Sequence, residues 1–160
     1  MFKKFACLLA VLVLVSACET TGANDGSGAG GGHMRGTDIG NATGDAEGLE
    51  QIGDRVFFEF NSSELDAESR ETLTRQALWL KKYGKIKILV EGHCDERGTR
   101  EYNIALGERR AMAVKNYIVA EGVKASRLKT ISYGKERPAA LGHDEEAWAQ
   151  NRRGVTTIAE

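Results

Sequence analysis

Lys85-Ile-Lys-Ile-Leu-Val-Glu-Gly-His-Cys-Asp-Glu-Arg-Gly-Thr99 leads into Asn103-Ile-Ala-Leu-Gly-Glu-Arg-Arg110, and the change of pattern between the two sets the fold. Charged and apolar residues first alternate and then become wholly apolar, as in a strand entering a sheet. The segment after it reads as a helix from about Arg100 to Glu121, with Gly122 as its stop. The result is a strand, a turn and a helix, with Asp95 in the turn and Arg110 inside the helix. One anion and one cation converging at a strand end suit a zwitterionic ligand. Its ammonium meets the carboxylate, and its carboxylate meets the guanidinium fork.

Working outward, Arg55-Val-Phe-Phe-Glu-Phe60 is aromatic and β-branched and reads as an earlier strand. Ser63 or Asp66 caps a helix continued by Leu65, Leu73, Ala77 and Leu80 and ended by Gly84. Downstream come a strand over Leu128–Tyr133, a loop around Pro138, a short helix over Glu145–Asn151 and a last strand over Gly154–Ala159. The order βαβαβ(α)β predicts an α+β fold, a mixed β-sheet with two main helices on one face. Tyr102, Leu106, Ala113, Val114 and Tyr117 form the expected core stripe of the second helix, and Trp148 is expected to anchor the short one in the core. Gly107 in mid-helix costs about 1 kcal/mol relative to Ala, which predicts a close backbone approach there.

The chain opens with a basic head, Met1-Phe-Lys-Lys4, and an apolar run of 11 residues from Phe5 to Val15. A membrane span needs about 20 residues, so this run fits the core of a signal peptide. Val15-Ser-Ala-Cys18 places small residues before a cysteine, similar to the bacterial lipobox. Residues 1–17 are therefore expected to leave as a signal peptide, and Cys18 to become the lipidated first residue. Stable anchoring takes more than one acyl chain, and such lipoproteins generally carry three. Glu19 in place of an Asp favours the outer membrane. With Cys7 removed and Cys18 acylated, Cys94 has no intramolecular partner.

Residues 19–54 hold 11 of the 19 glycines and few large apolar side chains. They are expected to form, with Cys18, a disordered acidic linker over 18–54. A Gly-rich coil of that length has an r.m.s. span of about 30–35 Å. Its seven acids oppose Arg35 alone, whereas residues 55–160 carry 19 basic and 16 acidic side chains. So slight an excess, without a clustered basic face, argues against nucleic acid and is compatible with an anionic polymer. Residues 55–160 are enough for one domain with its own core.

Arg110 lies between Leu106 and Val114 beside the apolar face of its helix, where a guanidinium is costly unless it meets an anion or the surface. Asn103, Leu106 and Arg110 share one side of that helix. From the pattern alone, a structural Asp95–Arg110 ion pair competes with a ligand site. If the pair serves a ligand, Asp95→Ala and Arg110→Ala should each leave the fold standing. His93, Cys94, Asp95 and Glu96 are consecutive and cannot all point at one ion, and no second ligand cluster has zinc spacing. A thiol hydrolase using Cys94 and a histidine is the enzyme-class alternative, without a supporting signature. If Cys94 and Asp95 are both extended, their side chains point to opposite faces and the thiol packs away from the ligand.

Gly92-His-Cys-Asp-Glu-Arg-Gly-Thr99, Tyr102-Asn-Ile-Ala-Leu-Gly-Glu-Arg-Arg-Ala111, Ile131-Ser-Tyr-Gly-Lys-Glu-Arg-Pro138 and Gly142-His-Asp-Glu-Glu-Ala-Trp-Ala-Gln-Asn-Arg-Arg153 occur in that order. Together they resemble the peptidoglycan-associated lipoprotein family, within the wider outer-membrane-protein-A-like domain. The resemblance implies a non-catalytic domain, without cofactor or metal, that grips meso-diaminopimelate in the peptidoglycan stem peptide. It assigns the ammonium to Asp95 and the carboxylate to Arg110, assisted by Arg97. Phe60, Asn61 and Ser62 match the loop lining the pocket, and Leu106 supplies an apolar wall. Asn61 stands where the family usually has Asp, which keeps a hydrogen-bonding side chain and removes a charge. The resemblance further implies an outer-membrane lipoprotein with its domain in the periplasm, working with the Tol envelope system.

Overall fold

The computed structural model describes residues 46–159; the signal segment, Cys18 and the linker up to residue 45 lie outside them. The linker was expected to run to Asp54, but its end is structured. Helix α1 covers Ala46–Ile52, and Leu49 is 2% exposed within the core, with Ile52 packed against it. Two apolar side chains at helical spacing suffice here because α2 offers them a surface, a tertiary effect that Gly-rich composition hides.

Strand β1 (Arg55–Phe57) is followed by α2 (Ala67–Lys82), β2 (Ile88–His93), α3 (Arg100–Ala120), β3 (Leu128–Gly134), α4 (Glu145–Asn151) and β4 (Arg153–Ile158). The sheet order is β1-β4-β2-β3. β4 is antiparallel to both β1 and β2, and β2 is parallel to β3. The sheet is therefore mixed, as expected from the element order, and the last strand lies inside it.

Val56, Ile88 and Val90 project from one face of the sheet into a single cluster with Leu73 and Leu80 of α2 and Val114 and Ile118 of α3. Full burial of such a side chain stabilises by roughly 1.5–3 kcal/mol. Asp66 caps α2, accepting from Ser69 N at 2.8 Å. The buried Gln76 donates to Gly53 O at 2.6 Å and accepts from Thr156 Oγ1 at 2.9 Å, so the polar group in the core has its partners. Behind α3, Arg127 donates to Leu80, Tyr83 and Ile86 carbonyls at 2.8–2.9 Å, satisfying the end of α2.

The close approach foreseen at Gly107 is present, with Gly92 of β2 as its counterpart. A Cβ on Gly92 would run into the Gly107 carbonyl, and one on Gly107 into Ser132 Oγ. Here α3 rests on bare strand backbone. Some expected boundaries shift. β1 stops at Phe57, because Phe58 N still bonds Arg152 O at 2.9 Å but the return bond is lost: Arg152 N goes to Trp148 O, and Phe58 O accepts from Arg152 Nε. β2 starts only at Ile88, after a turn in which Ile86 N bonds Tyr83 O at 3.2 Å. Tyr102, expected in the core stripe, is 45% exposed, and the buried stripe of α3 runs instead through Asn103, Leu106, Gly107, Arg110, Ala111, Val114 and Ile118.

Candidate functional site

The site starts from an irregularity in the sheet. β2 and β3 keep register to Gly92–Ser132 and then shift, so that His93 pairs with Gly134. Gly134 has φ +52, and its carbonyl takes Cys94 N at 2.8 Å. The extra residue, Tyr133, lies on β3, and β2 itself ends at His93, so Cys94 and Asp95 stand beyond the strand and its alternation does not govern them. Cys94 was expected to pack away from Asp95, but both line the same cleft. Its thiol donates to Asn103 O at 3.3 Å, and burial pushes its pKa up. A thiol held protonated is a poor nucleophile.

Asp95 is 4% exposed. Its carboxylate accepts from Arg97 N at 3.1 Å and from Arg97 Nη2 at 2.6 Å, with Arg152 Nη1 at 3.6 Å. Burial pushes its pKa up, but the Arg97 hydrogen bonds and the charges of Arg97 and Arg152 outweigh it, and the net shift is downward. Asp95 is thus an anion held in place. Its ion-pair partners are Arg97 and Arg152, and the direct pair with Arg110, the alternative to a ligand site, is not formed.

Arg110 is fully buried, and its charge is met by carbonyl dipoles. It donates to Ser62 O at 2.8 Å, His93 O at 2.8 Å and Glu59 O at 3.1 Å, and its guanidinium lies 5.1 Å from the Phe58 ring centroid. A guanidinium has five N–H donors, so the three bonds leave two that no carbonyl takes. Arg110 ties the loop after β1 to the end of β2, a structural duty that the sequence did not reveal.

Arg97 lies between two rings, 4.0 Å from the centroids of both Phe60 and Trp148. Trp148 was expected in the core; instead it is half-buried at the surface, its Nε1 donating to Glu96 at 2.9 Å. Glu96 also pairs with His143 at 2.7 Å. Asp144 caps α4 through Ala147 N at 2.8 Å, which fixes the ring's position.

The cleft has a volume of about 230 Å³. Phe60, Asn61, Asp95, Arg97, Asn103, Leu106 and Arg110, all expected from the sequence, line it. Ser62 is not among the lining residues. It contributes its carbonyl to Arg110, and its hydroxyl accepts from Glu64 N at 3.0 Å. Gly98 and Tyr102 line the cleft as well. Tyr102 donates to Asn61 Oδ1, bridging the two walls. The exposed side of the helix gave no signal for that role. Asn61 has φ 56, a left-handed conformation that Asn adopts more readily than most residues. Among the described residues no group of three or more His, Cys, Asp or Glu is placed to hold a metal ion.

His93, just before the site, is buried against Tyr133 with ring centroids 5.4 Å apart. Burial and then the charge of Arg153 lower its pKa from 6.5 to about 4. The unfolded chain takes up this proton below pH 6.5 and the folded chain does not, so stability falls as pH drops from 6.5 towards 4. The loss is about 3 kcal/mol and levels off below that window. Denaturant melts of wild type and His93→Gln across these pH values should show the steeper slope in the wild type. A parallel slope in both would refute the assignment.

The fold is a mixed sheet under two helices, with a charged cleft where β2 ends and the loop after β1 meets α3. The OmpA family model matches residues 57–152, and the chain belongs to that family. Within it, a peptidoglycan-associated lipoprotein of Mesorhizobium japonicum is 59% identical over 108 residues, covering 68% of this chain and 64% of its own length. This chain thus spans under two thirds of that relative. The peptidoglycan-associated lipoprotein of Pseudomonas aeruginosa is 44% identical over 95% of this chain and 94% of its own. The crystal structure of the peptidoglycan-associated lipoprotein from Burkholderia pseudomallei superposes with a TM-score of 0.65 at 42% identity, covering 66% of this chain and 90% of that one.

Proposed function

We propose that the chain is a peptidoglycan-associated outer-membrane lipoprotein. Cys18 carries the lipid, residues 19–45 act as the tether, and the domain from Ala46 onward holds peptidoglycan non-covalently. The ligand group is the zwitterionic end of the diaminopimelate side chain. Asp95 takes the ammonium, and Arg110, with two N–H donors unspent, takes the carboxylate. Asn103 and Leu106 form the wall between them. The observation that carries this reading is the pairing of a buried, ionised Asp95 with a guanidinium in one cleft, in a chain so similar to peptidoglycan-associated lipoproteins. The raised pKa of the Cys94 thiol favours a binding role over catalysis. Partnership with the periplasmic Tol proteins is part of the proposal and rests on the resemblance alone.

Binding to purified sacculi tests it. Removing one partner of a desolvated charge pair costs about 2–5 kcal/mol, so Asp95→Ala should weaken binding at least ~30-fold. Asp95→Asn, which keeps the shape and loses the charge, should fall with it while retaining a cooperative melt. Unchanged sacculus binding by a folded Asp95→Asn protein would sink the reading.

A further inference from the structure

Asp95 belongs to a closed ring of four charged side chains. Its Oδ2 meets Arg97 Nη2 at 2.6 Å and Arg152 Nη1 at 3.6 Å. The same two guanidiniums share a second anion. Arg152 Nη2 stands 2.7 Å from Glu145 Oε1, and Arg97 Nη1 stands 3.7 Å from Glu145 Oε2. Cation and anion alternate around the ring, and its charges cancel. Neither Arg152 nor Glu145 lines the cleft. Arg152 is 5% exposed and locked in place, its Nε donating to Phe58 O at 2.9 Å just after β1. Glu145 opens α4, whose first turn Asp144 caps through Ala147 N at 2.8 Å. The ring thus ties α4 and the segment after β1 to the turn that carries Asp95. Both side-chain cations sit on Oδ2, and among the described residues Oδ1 takes the backbone N of Arg97 alone, at 3.1 Å.

We propose that Arg152 and Glu145 are positioning residues for the cleft: touching no ligand themselves, they hold Asp95 by its Oδ2 and leave Oδ1 to the ligand ammonium. The proposal rests on the diaminopimelate reading and deepens it. Arg152 supplies its charge from a direction that the ligand does not use. Glu145 occupies the second arm of both guanidiniums, so that neither closes over Oδ1. Without Glu145, two cations face one anion, and an excess positive charge stands where the ammonium must come. The other charged or titratable groups near Asp95 are Arg110 of α3, the protonated Cys94 thiol, and Glu96, which is engaged by His143 and Trp148.

The test uses the full chain in detergent and two readouts. One is titration of the Asp95 carboxyl carbon by NMR without ligand. The other is calorimetric binding of a soluble diaminopimelate stem peptide. Glu145→Gln, at a side chain 64% exposed, should leave the fold intact. The Asp95 carboxyl should then titrate at lower pH than in wild type, because both cations now serve it alone. Peptide affinity should nevertheless fall by about threefold to fivefold, the scale of a surface ion-pair effect. Arg152→Gln should move the titration to higher pH, and its peptide binding should fail at higher pH than in wild type. Loosening of the fold alone would move both titrations upward, since Asp95 starts below its ordinary value. An unmoved or raised titration in Glu145→Gln would therefore overturn the ring, even if Arg152→Gln does not fold. A lowered titration with unchanged peptide affinity would leave the ring no part in binding and overturn the proposal as well. The diaminopimelate reading is judged apart, by whether wild type binds the peptide and Asp95→Asn does not.

Discussion

Arg110→Ala should cost the domain about 3–5 kcal/mol of stability, besides any loss of ligand binding. The substitution strips donors from the carbonyls of Glu59, Ser62 and His93 together and leaves a hole beneath Phe58. These carbonyls belong to the loop after β1 and to the end of β2, so the two walls of the cleft lose their common tie. Arg110→Lys should recover little, because one ammonium on a flexible stem does not reproduce a planar fork reaching three directions. Chemical denaturation gives the number, and a cost below about 1 kcal/mol would contradict the account. From the sequence, Asp95 and Arg110 variants were both expected to keep the fold if the pair served a ligand. The structure separates them, since Arg110 is built into the scaffold whether or not a ligand is bound.

Gly92→Val should be as damaging, with Tm lower by about 10–15 °C and a loss of about 3 kcal/mol. The new side chain meets the Gly107 carbonyl, which is helix backbone and cannot rotate aside. α3 must lift from β2, and with it Asn103, Leu106 and Arg110 leave their places in the cleft. Gly84→Ala is the control, because a Cβ there meets nothing within 4 Å. Thermal melts of the two variants should differ widely; similar melts would mean that the helix and strand are not in tight register.

What the sequence disclosed was local. The alternation at 85–90 and the spacing after Thr99 are properties of single segments, and the strand, turn and helix they announce are present. Seven of the eight expected binding residues line one cleft, because the turn holding Asp95 feeds directly into the helix holding Arg110 and the family resemblance carried the loop at Phe60. The rest depended on partners far along the chain. Trp148 and Tyr102 have the spacing of core residues, yet each is drawn to the surface by a polar neighbour, Glu96 for one and Asn61 for the other. Leu49 lies in a Gly-rich stretch and is ordered by a helix that begins 18 residues later. Cys94 was misplaced because β2 ends at His93, so the alternation that sequence reasoning assumes does not extend to Cys94 and Asp95.

The position of β1 has a mechanical consequence. Both β1 and β2 run antiparallel to β4, so they point the same way, and the cleft lies beyond their C-terminal ends. The chain enters β1 at Arg55, at the far end. A pull between the residues preceding α1 and a molecule seated in the cleft therefore runs along the strands, across hydrogen bonds that lie perpendicular to it. The β1–β4 ladder is loaded in shear, where its bonds resist together, and is not unzipped one at a time. The first element to yield under such tension is α1, a helix of 7 residues whose Leu49 can be drawn out of the core before any strand is disturbed.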